Sequence, residues 1–191
     1  MKGITGLLTV VLSGCFGGPE PHDPPPVPTQ AQCPLGFGPI GTLGDGCYQL
    51  QPTPTSWVLG EEACEKIEAD GATAHMLVID RIEEHTAFSA LTKQTGSIWL
   101  AMLQHDEDDE FRNVNWIVWD QTFFGAGEPN DYGEDCDWGD CNGSPGIGDE
   151  RCVEYRTETG MWNDKGCWRP SQIICEWDGL ESYGWRPGGS T

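Results

Sequence analysis

Carboxylates and carboxamides crowd residues 124 to 164 of the 191-residue chain, with Glu128-Pro129-Asn130 near the start and Trp162-Asn163-Asp164 at the end. Between these triplets lie Asp131, Glu134, Asp135, Asp137, Asp140, Asp149 and Glu150, with four glycines before Ile147. No apolar periodicity runs through the stretch to make a helix or a strand, so it reads as a loop. Such a loop has no core of its own to order it. Its oxygens are hard donors, and a cluster of them without a thiolate or imidazole set suits a hard divalent cation, calcium above all. The expected chemistry is a calcium-organised binding site.

Something folded must hold that loop. The length is that of one domain with tails, and 37% hydrophobic content with nine tryptophans suffices for one core. A formal charge of −21, with only ten Lys and Arg, excludes a nucleic-acid partner, since phosphate binding needs clustered cations. Most of the scattered carboxylates are a solubilising surface; only the loop clusters are assigned to metal.

Residues 1–14 read as a signal peptide: Met1-Lys2 is a positive start, Ile4 to Val11 a short apolar run, and Leu12-Ser13-Gly14-Cys15 a small-residue close. The run is too short to span a bilayer as a mature helix. Leu-Ser-Gly-Cys resembles the bacterial lipoprotein box, which implies lipidation of Cys15 and a membrane attachment through lipid only; an ordinary secretory signal cut elsewhere is the plainer alternative. Several acyl chains on one residue give durable attachment. Phe16 after the cysteine resembles sorting to the outer membrane, so the expected location is the bacterial cell envelope. Residues 16–32 follow with six prolines and little to bury, a polyproline-like tether extending about 3 Å per residue. The folded domain is expected over 33–177, with 178–191 as a tail.

Within it, Thr55 or Ser56 caps a helix carrying Trp57, Ala63, Cys64 and Ile67 on one side, ended by Gly71. Asp80 with Glu83 forms a capping-box-like start for a second helix through Ala87, Phe88 and Leu91, stopped by Gly96. Short strands rich in Trp, Ile and Val are expected at His75–Ile79, Ser97–Leu103, Trp116–Trp119, Cys152–Tyr155 and Gln172–Trp177. Two helices followed by a run of strands point to α+β. Setting Cys15 aside leaves eight cysteines, at 33, 47, 64, 136, 141, 152, 167 and 175. An even count in an exported protein reads as four disulfides, and spacing alone leaves the pairing open. No histidine stands at zinc spacing from any of them.

Cys33-Pro34 with Cys47-Tyr48, Trp57 seven before Cys64, Trp99-Leu100-Ala101-Met102, Glu128-Pro129-Asn130, Cys152-Val153-Glu154, Trp162-Asn163-Asp164, and Cys167 eight before Cys175 together resemble a long-form C-type lectin domain. The resemblance spans about residues 33 to 177 in order. It implies the C-type lectin-like fold, with short antiparallel sheets and a long calcium-binding loop, and the disulfides 33–47, 64–175 and 152–167. Cys136 and Cys141 are left to bridge each other.

The resemblance also implies a calcium-dependent sugar receptor. Two adjacent equatorial hydroxyls each give a lone pair to the ion while hydrogen-bonding to the carboxylates and amides that hold it. By position the implied ligands of both ion and sugar are Glu128, Asn130, Asn163 and Asp164. The order Glu-Pro-Asn resembles the mannose-type motif, which takes mannose, fucose, glucose or N-acetylglucosamine, and its Glu128–Pro129 bond is expected to be cis. The family's fifth ligand is a glutamate two residues before a cysteine, a description met by Glu134 before Cys136 and by Glu150 before Cys152; Glu150 is preferred because Cys152-Val-Glu-Tyr reads as the next strand. An auxiliary calcium site is suggested by Asp106, Glu110 and Asp131, with Asp135 or Arg151 at its remaining position according to register.

Other signals carry less. Gly36 to Gly41 fits G-x-G-x-x-G but follows no strand and opens no helix. Asp106 to Asp109 resembles the start of an EF-hand, yet Phe111 stands where glycine is required. The four histidines are scattered and no nucleophile has a placed base, so the chain is not expected to be an enzyme. A calcium-stabilised adhesin binding a protein or other non-sugar ligand through the same loops is the alternative; oligomeric state is left open.

Overall fold

A computed structural model describes residues 33–40, 46–91, 96–104, 110–114, 123–131 and 150–179, Leu91 in its backbone only. Cys15 and the tether, the strand expected over Trp116–Trp119, Asp106, Glu134, Asp135, Cys136, Cys141, Asp149 and the tail from residue 180 lie outside the described residues. The described chain is α+β, with the C-type lectin-like arrangement of two helices and antiparallel sheets. In order it runs β1 (Tyr48–Leu50), α1 (Trp57–Glu65), β2 (Glu68–Ala69), β3 (Ala72–Thr73), β4 (His75–Met76), α2 (Ile82–Leu91), β5 (Ser97–Gln104), β6 (Phe111–Asn113), β7 (Cys152–Arg156), β8 (Met161–Lys165) and β9 (Ile174–Glu176). One sheet has the order β1-β9-β4, a second pairs β2 with β3, and the third has the order β6-β5-β7-β8.

Strand β5 is the spine. Ile98 to Leu103 is a continuous apolar run because both of its faces are covered: Trp99, Ala101 and Leu103 join Trp57, Met76 and Ile173 on one side, and Ile98, Leu100 and Met102 join Leu77, Phe88, Val153, Tyr155 and Trp162 on the other. The β5–β7 register shifts between Trp99 and Leu103. At that irregularity the Leu100 carbonyl accepts the Trp57 indole N–H at 2.7 Å, fixing α1 against the sheet. Gly60 makes that close approach possible, because a Cβ there would stand 2.4 Å from Ile173 Cδ1 and 2.9 Å from Met76 Sδ.

Three disulfides form as the resemblance implies: Cys33–Cys47, Cys64–Cys175 and Cys152–Cys167. The second ties α1 to β9, and the third ties the start of β7 to the segment after β8.

Several local expectations need correction. The first helix ends at Glu65, not Gly71; Asp70 and Gly71, at φ 51° and 86°, instead turn the β2–β3 hairpin, an Asp-Gly turn in which both residues need positive φ. Ser56 stands at the N-cap of α1 without a side-chain cap hydrogen bond. At α2 the carboxylate that accepts the Asp80 N–H belongs to Glu84, at 3.1 Å, not to Glu83. Strands β1, β2, β3, β6 and β8 were not expected, and β8 overlaps the end of the stretch read as a loop: Met161–Lys165 pairs along its whole length with β7.

Candidate functional site

Strand β8 carries Trp162, Asn163 and Asp164, and its neighbour β7 carries Glu154 and Arg156. Trp162 is wholly buried among the apolar residues of the second core cluster. By strand alternation Asn163 then faces the other way, opposite Glu154 in the register. The segment bearing Glu128 and Asn130 is laid against this edge. The Gly125 N–H donates to the Trp162 carbonyl at 2.9 Å, the Trp162 N–H to the Phe123 carbonyl at 2.8 Å, and the rings of Phe123 and Phe124 meet the Trp162 ring edge-on at 5.5 and 5.9 Å. His85 of α2 stacks on Phe123 from behind, with ring centroids 3.7 Å apart.

Asp164 joins the two segments. Its Oδ1 accepts the Asn130 backbone N–H at 3.1 Å and its Oδ2 the Asp131 backbone N–H at 2.6 Å, across 34 and 33 residues of sequence. The side chain of Asp164 is 1% exposed, so these bonds are not competed for by solvent. Asp131 turns the chain at φ 48° and returns a bond, its Oδ1 accepting the Glu150 N–H at 3.2 Å. The Glu128–Pro129 peptide bond is cis. Glu128 Oε2 accepts the side-chain amide of Asn130, and its Oε1 lies 3.5 Å from Arg156 Nη1. Glu128, Asn130, Asn163 and Asp164 therefore come together, while Glu150 reaches the group through its backbone.

The charges in this corner are unbalanced. Burial, and then the neighbouring charge of Asp164, push the Glu128 carboxyl above its ordinary range, with Arg156 opposing. Two carboxylates held together against repulsion, beside the exposed amide of Asn130 and the buried amide of Asn163, are a donor set that a divalent cation neutralises. Asn163 fits the same purpose: its amide nitrogen is spent on Glu154 Oε1 at 3.2 Å and on the Asp164 carbonyl, leaving Oδ1 as its acceptor. Among the described residues no three His, Cys, Asp or Glu side chains converge as a metal group. The hydrogen bonds of this corner bring together two carboxylates, Glu128 and Asp164, and two amides, Asn130 and Asn163.

A second group of residues lies beneath the site and was not singled out from the sequence. Glu154, 5% exposed, accepts Lys165 Nζ on Oε2 at 2.6 Å, and Lys165 also donates to Ser171 Oγ at 2.8 Å and Ser97 Oγ at 3.3 Å. Lys165 lies over the Trp99 ring at 5.1 Å. Arg156 Nε stands 3.6 Å from Glu154 Oε1, the oxygen that also receives Asn163. The available signal was a glutamate between two apolar strand residues, Val153 and Tyr155, in a strand otherwise buried to its last residue.

The fold has counterparts among known proteins. Human C-type lectin domain family 17, member A is 23% identical over 144 residues, a match spanning 75% of this chain and 32% of the longer human protein. Perlucin of Haliotis laevigata is 24% identical over 154 residues, covering 75% of this chain and 82% of perlucin. Among solved structures, the cow C-type carbohydrate-recognition domain of CD23, determined in the presence of a GlcNAc2Man3 oligosaccharide, superposes with a TM-score of 0.57 at 22% identity, covering 78% of this chain and 97% of that one. The family model described as the lectin C-type domain matches residues 53–177, and this chain belongs to the C-type lectin domain family.

Proposed function

We propose that the chain binds terminal mannose, fucose, glucose or N-acetylglucosamine, sugars with adjacent equatorial hydroxyls, in a calcium-dependent way at Glu128, Asn130, Glu150, Asn163 and Asp164. The observation that carries this reading is Asp164, whose one buried carboxylate gathers the Glu-Pro-Asn and Trp-Asn-Asp segments at a single point. Calcium, when bound, supplies a site at which sugar hydroxyl oxygens replace water. The chain's own residues do the rest. Glu128 and Asp164 supply negative charge, Asn130 and Asn163 supply amide oxygens without adding more, and the same four groups give or accept hydrogen bonds from a hydroxyl pair. Glu150 is the third carboxylate, carried toward the site by its backbone bond to Asp131.

The cow carbohydrate-recognition domain, determined in the presence of a GlcNAc2Man3 oligosaccharide, supports the ligand class, and the residue order around Pro129 supports its mannose-type branch. Residues 1–32 add the expected setting: an exported protein lipidated at Cys15, on a proline-rich tether, at the bacterial envelope, with the lectin domain beginning at Cys33. A glycan array read with calcium and with excess chelator tests the reading. Binding of mannose-type glycans that disappears in chelator is the expected result; equal retention of mannose in chelator sinks it, and calcium binding without any glycan signal favours an adhesin for a non-sugar ligand.

A further inference from the structure

Arg156 closes β7 beside Glu128, and it has a charge that neither the fold nor the proposed ligand set requires. The segment 123–131 is already held without it, by the backbone bonds to Trp162 and the two bonds to Asp164. Glu154 already has a cation of its own, Lys165 Nζ at 2.6 Å with only 17% of the lysine side chain exposed. The guanidinium is therefore not needed to shape the loop or to neutralise the strand beneath it. Its Nε stands 3.6 Å from Glu154 Oε1, a carboxylate already paired with Lys165, and its Nη1 stands 3.5 Å from Oε1 of Glu128, a side chain that is 11% exposed.

We infer that Arg156 is the resident counter-ion of Glu128 and holds the calcium affinity of the site below what its ligands alone would give. This rests on the calcium reading above. With Arg156 present, the proposed carboxylate ligands Glu128, Glu150 and Asp164 offer an arriving cation a formal charge of about −2 in place of about −3. The divalent ion must also accept a fixed guanidinium alongside one of its ligands. Arg156 is 47% exposed, so water and salt screen the effect and keep it modest. The functional consequence is a raised calcium threshold: glycan would be released at a calcium level that a site without Arg156 would still tolerate.

The test is a calcium titration of the purified full chain, without sugar, by calorimetry and by displacement of terbium luminescence. The wild-type chain is compared with Arg156→Gln, which keeps a polar side chain but removes the charge, and Arg156→Lys, which restores a cation. Arg156→Gln is expected to bind calcium more tightly, by roughly threefold to tenfold for one partly screened charge beside a divalent ion, with Arg156→Lys returning toward the wild-type value. Weaker or unchanged binding in a folded Arg156→Gln overturns the inference, because a residue that merely shapes the site loses affinity when removed. Failure of Arg156→Gln to fold overturns it as well, since the loop is argued to stand without that side chain. A wild-type chain that binds no calcium instead removes the functional reading on which the inference rests.

Discussion

Glu128 and Asn130 flank Pro129 with opposite hydrogen-bonding characters, an acceptor and an amide that both donates and accepts. A sugar hydroxyl that also faces a cation must donate to one of them and accept from the other, so their order sets which hydroxyl geometry fits. Exchanging Glu128 for Gln and Asn130 for Asp keeps every oxygen while reversing that order. Preference is expected to move from mannose-type toward galactose-type glycans on an array, with calcium binding retained in a terbium titration. Loss of calcium binding in the double variant would mean that the two side chains serve the ion in ways an exchange of oxygens does not preserve. The fifth ligand separates in the same way. Glu150→Ala is expected to weaken calcium binding by about tenfold or more, as removal of a charged metal ligand does, and Glu134→Ala to leave it near wild type; the opposite outcome moves the ligand to Glu134.

Elements decide how well these residues hold still. Helix α1 lies against β4 and β9 through Gly60, where no side chain fits between Ile173 and Met76. Gly60→Ala gains helix propensity but overpacks this contact, and a net loss of about 1–3 kcal/mol is expected in chemical denaturation; an unchanged or raised midpoint would show that Ile173 moves aside freely. Cys64–Cys175 locks the same interface across a sequence separation of 111 residues. Reducing that bridge is expected to cost more than losing Cys33–Cys47, whose separation is 14, because the longer loop removes more entropy from the unfolded chain, about 4–5 kcal/mol in the chain-entropy account. Both helices, β5, β7 and β9 were legible because apolar periodicity and dense apolar runs are local signals, whereas the cap and end-glycine signals misplaced the helix bounds. Strand β8 was not, because Asn163 and Asp164 are polar residues buried by the site they build, 4% and 1% exposed, and alternation cannot be recognised when the inward residues are hydrophilic. Strand β1 was missed as a three-residue element whose pairing partner, β9, lies more than a hundred residues on. The site's ligands were legible through resemblance. The polar layer of Glu154, Lys165, Ser97 and Ser171 was not, since only the fold brings those residues together.

Across the whole molecule, acidity is expected to pull stability and the proposed calcium binding in opposite directions. Remote from the proposed site, a buried polar group joins β1, α1, β4, α2 and β9: Tyr48 O–H donates to Glu84 Oε1 at 2.5 Å, Glu176 Oε2 accepts the Val78 N–H at 2.9 Å, and Glu61 Oε2 accepts the Met76 N–H at 2.8 Å. His75 Nδ1 meets the Met76 carbonyl at 2.6 Å and its Nε2 stands 3.2 Å from Asp178, close enough for an ion pair though not aligned for a good hydrogen bond. Burial, and then the charge of Asp80, raise the Glu84 carboxyl from 4.5 to about 7; burial and Glu84 raise Glu176 well above its ordinary range. Burial opposes the charged form of His75, but Asp178, Glu176 and Glu61 outweigh it and raise the imidazolium from 6.5 to about 10. For each of these groups the folded state holds its proton more tightly than the unfolded state does. The Glu84 contribution is therefore complete below pH 4.5 and lost as pH rises through about 7, and that of His75 is complete below pH 6.5 and lost as pH rises through about 10. Calcium at the proposed site is expected to behave in the opposite way, because it would need Glu128 ionised, and burial and then Asp164 raise that carboxyl. In chelator, thermal unfolding is expected to begin at a higher temperature near pH 5 than near pH 8, because the Glu84 and His75 contributions both fall across that range. The increment added by millimolar calcium is expected to run the other way, growing as pH rises. Glu84→Gln is expected to flatten the calcium-free profile between those values while leaving the calcium increment in place. A calcium-free midpoint that climbs from pH 5 to pH 8 would locate the dominant titration elsewhere, in carboxylates that gain rather than lose charge stabilisation on folding.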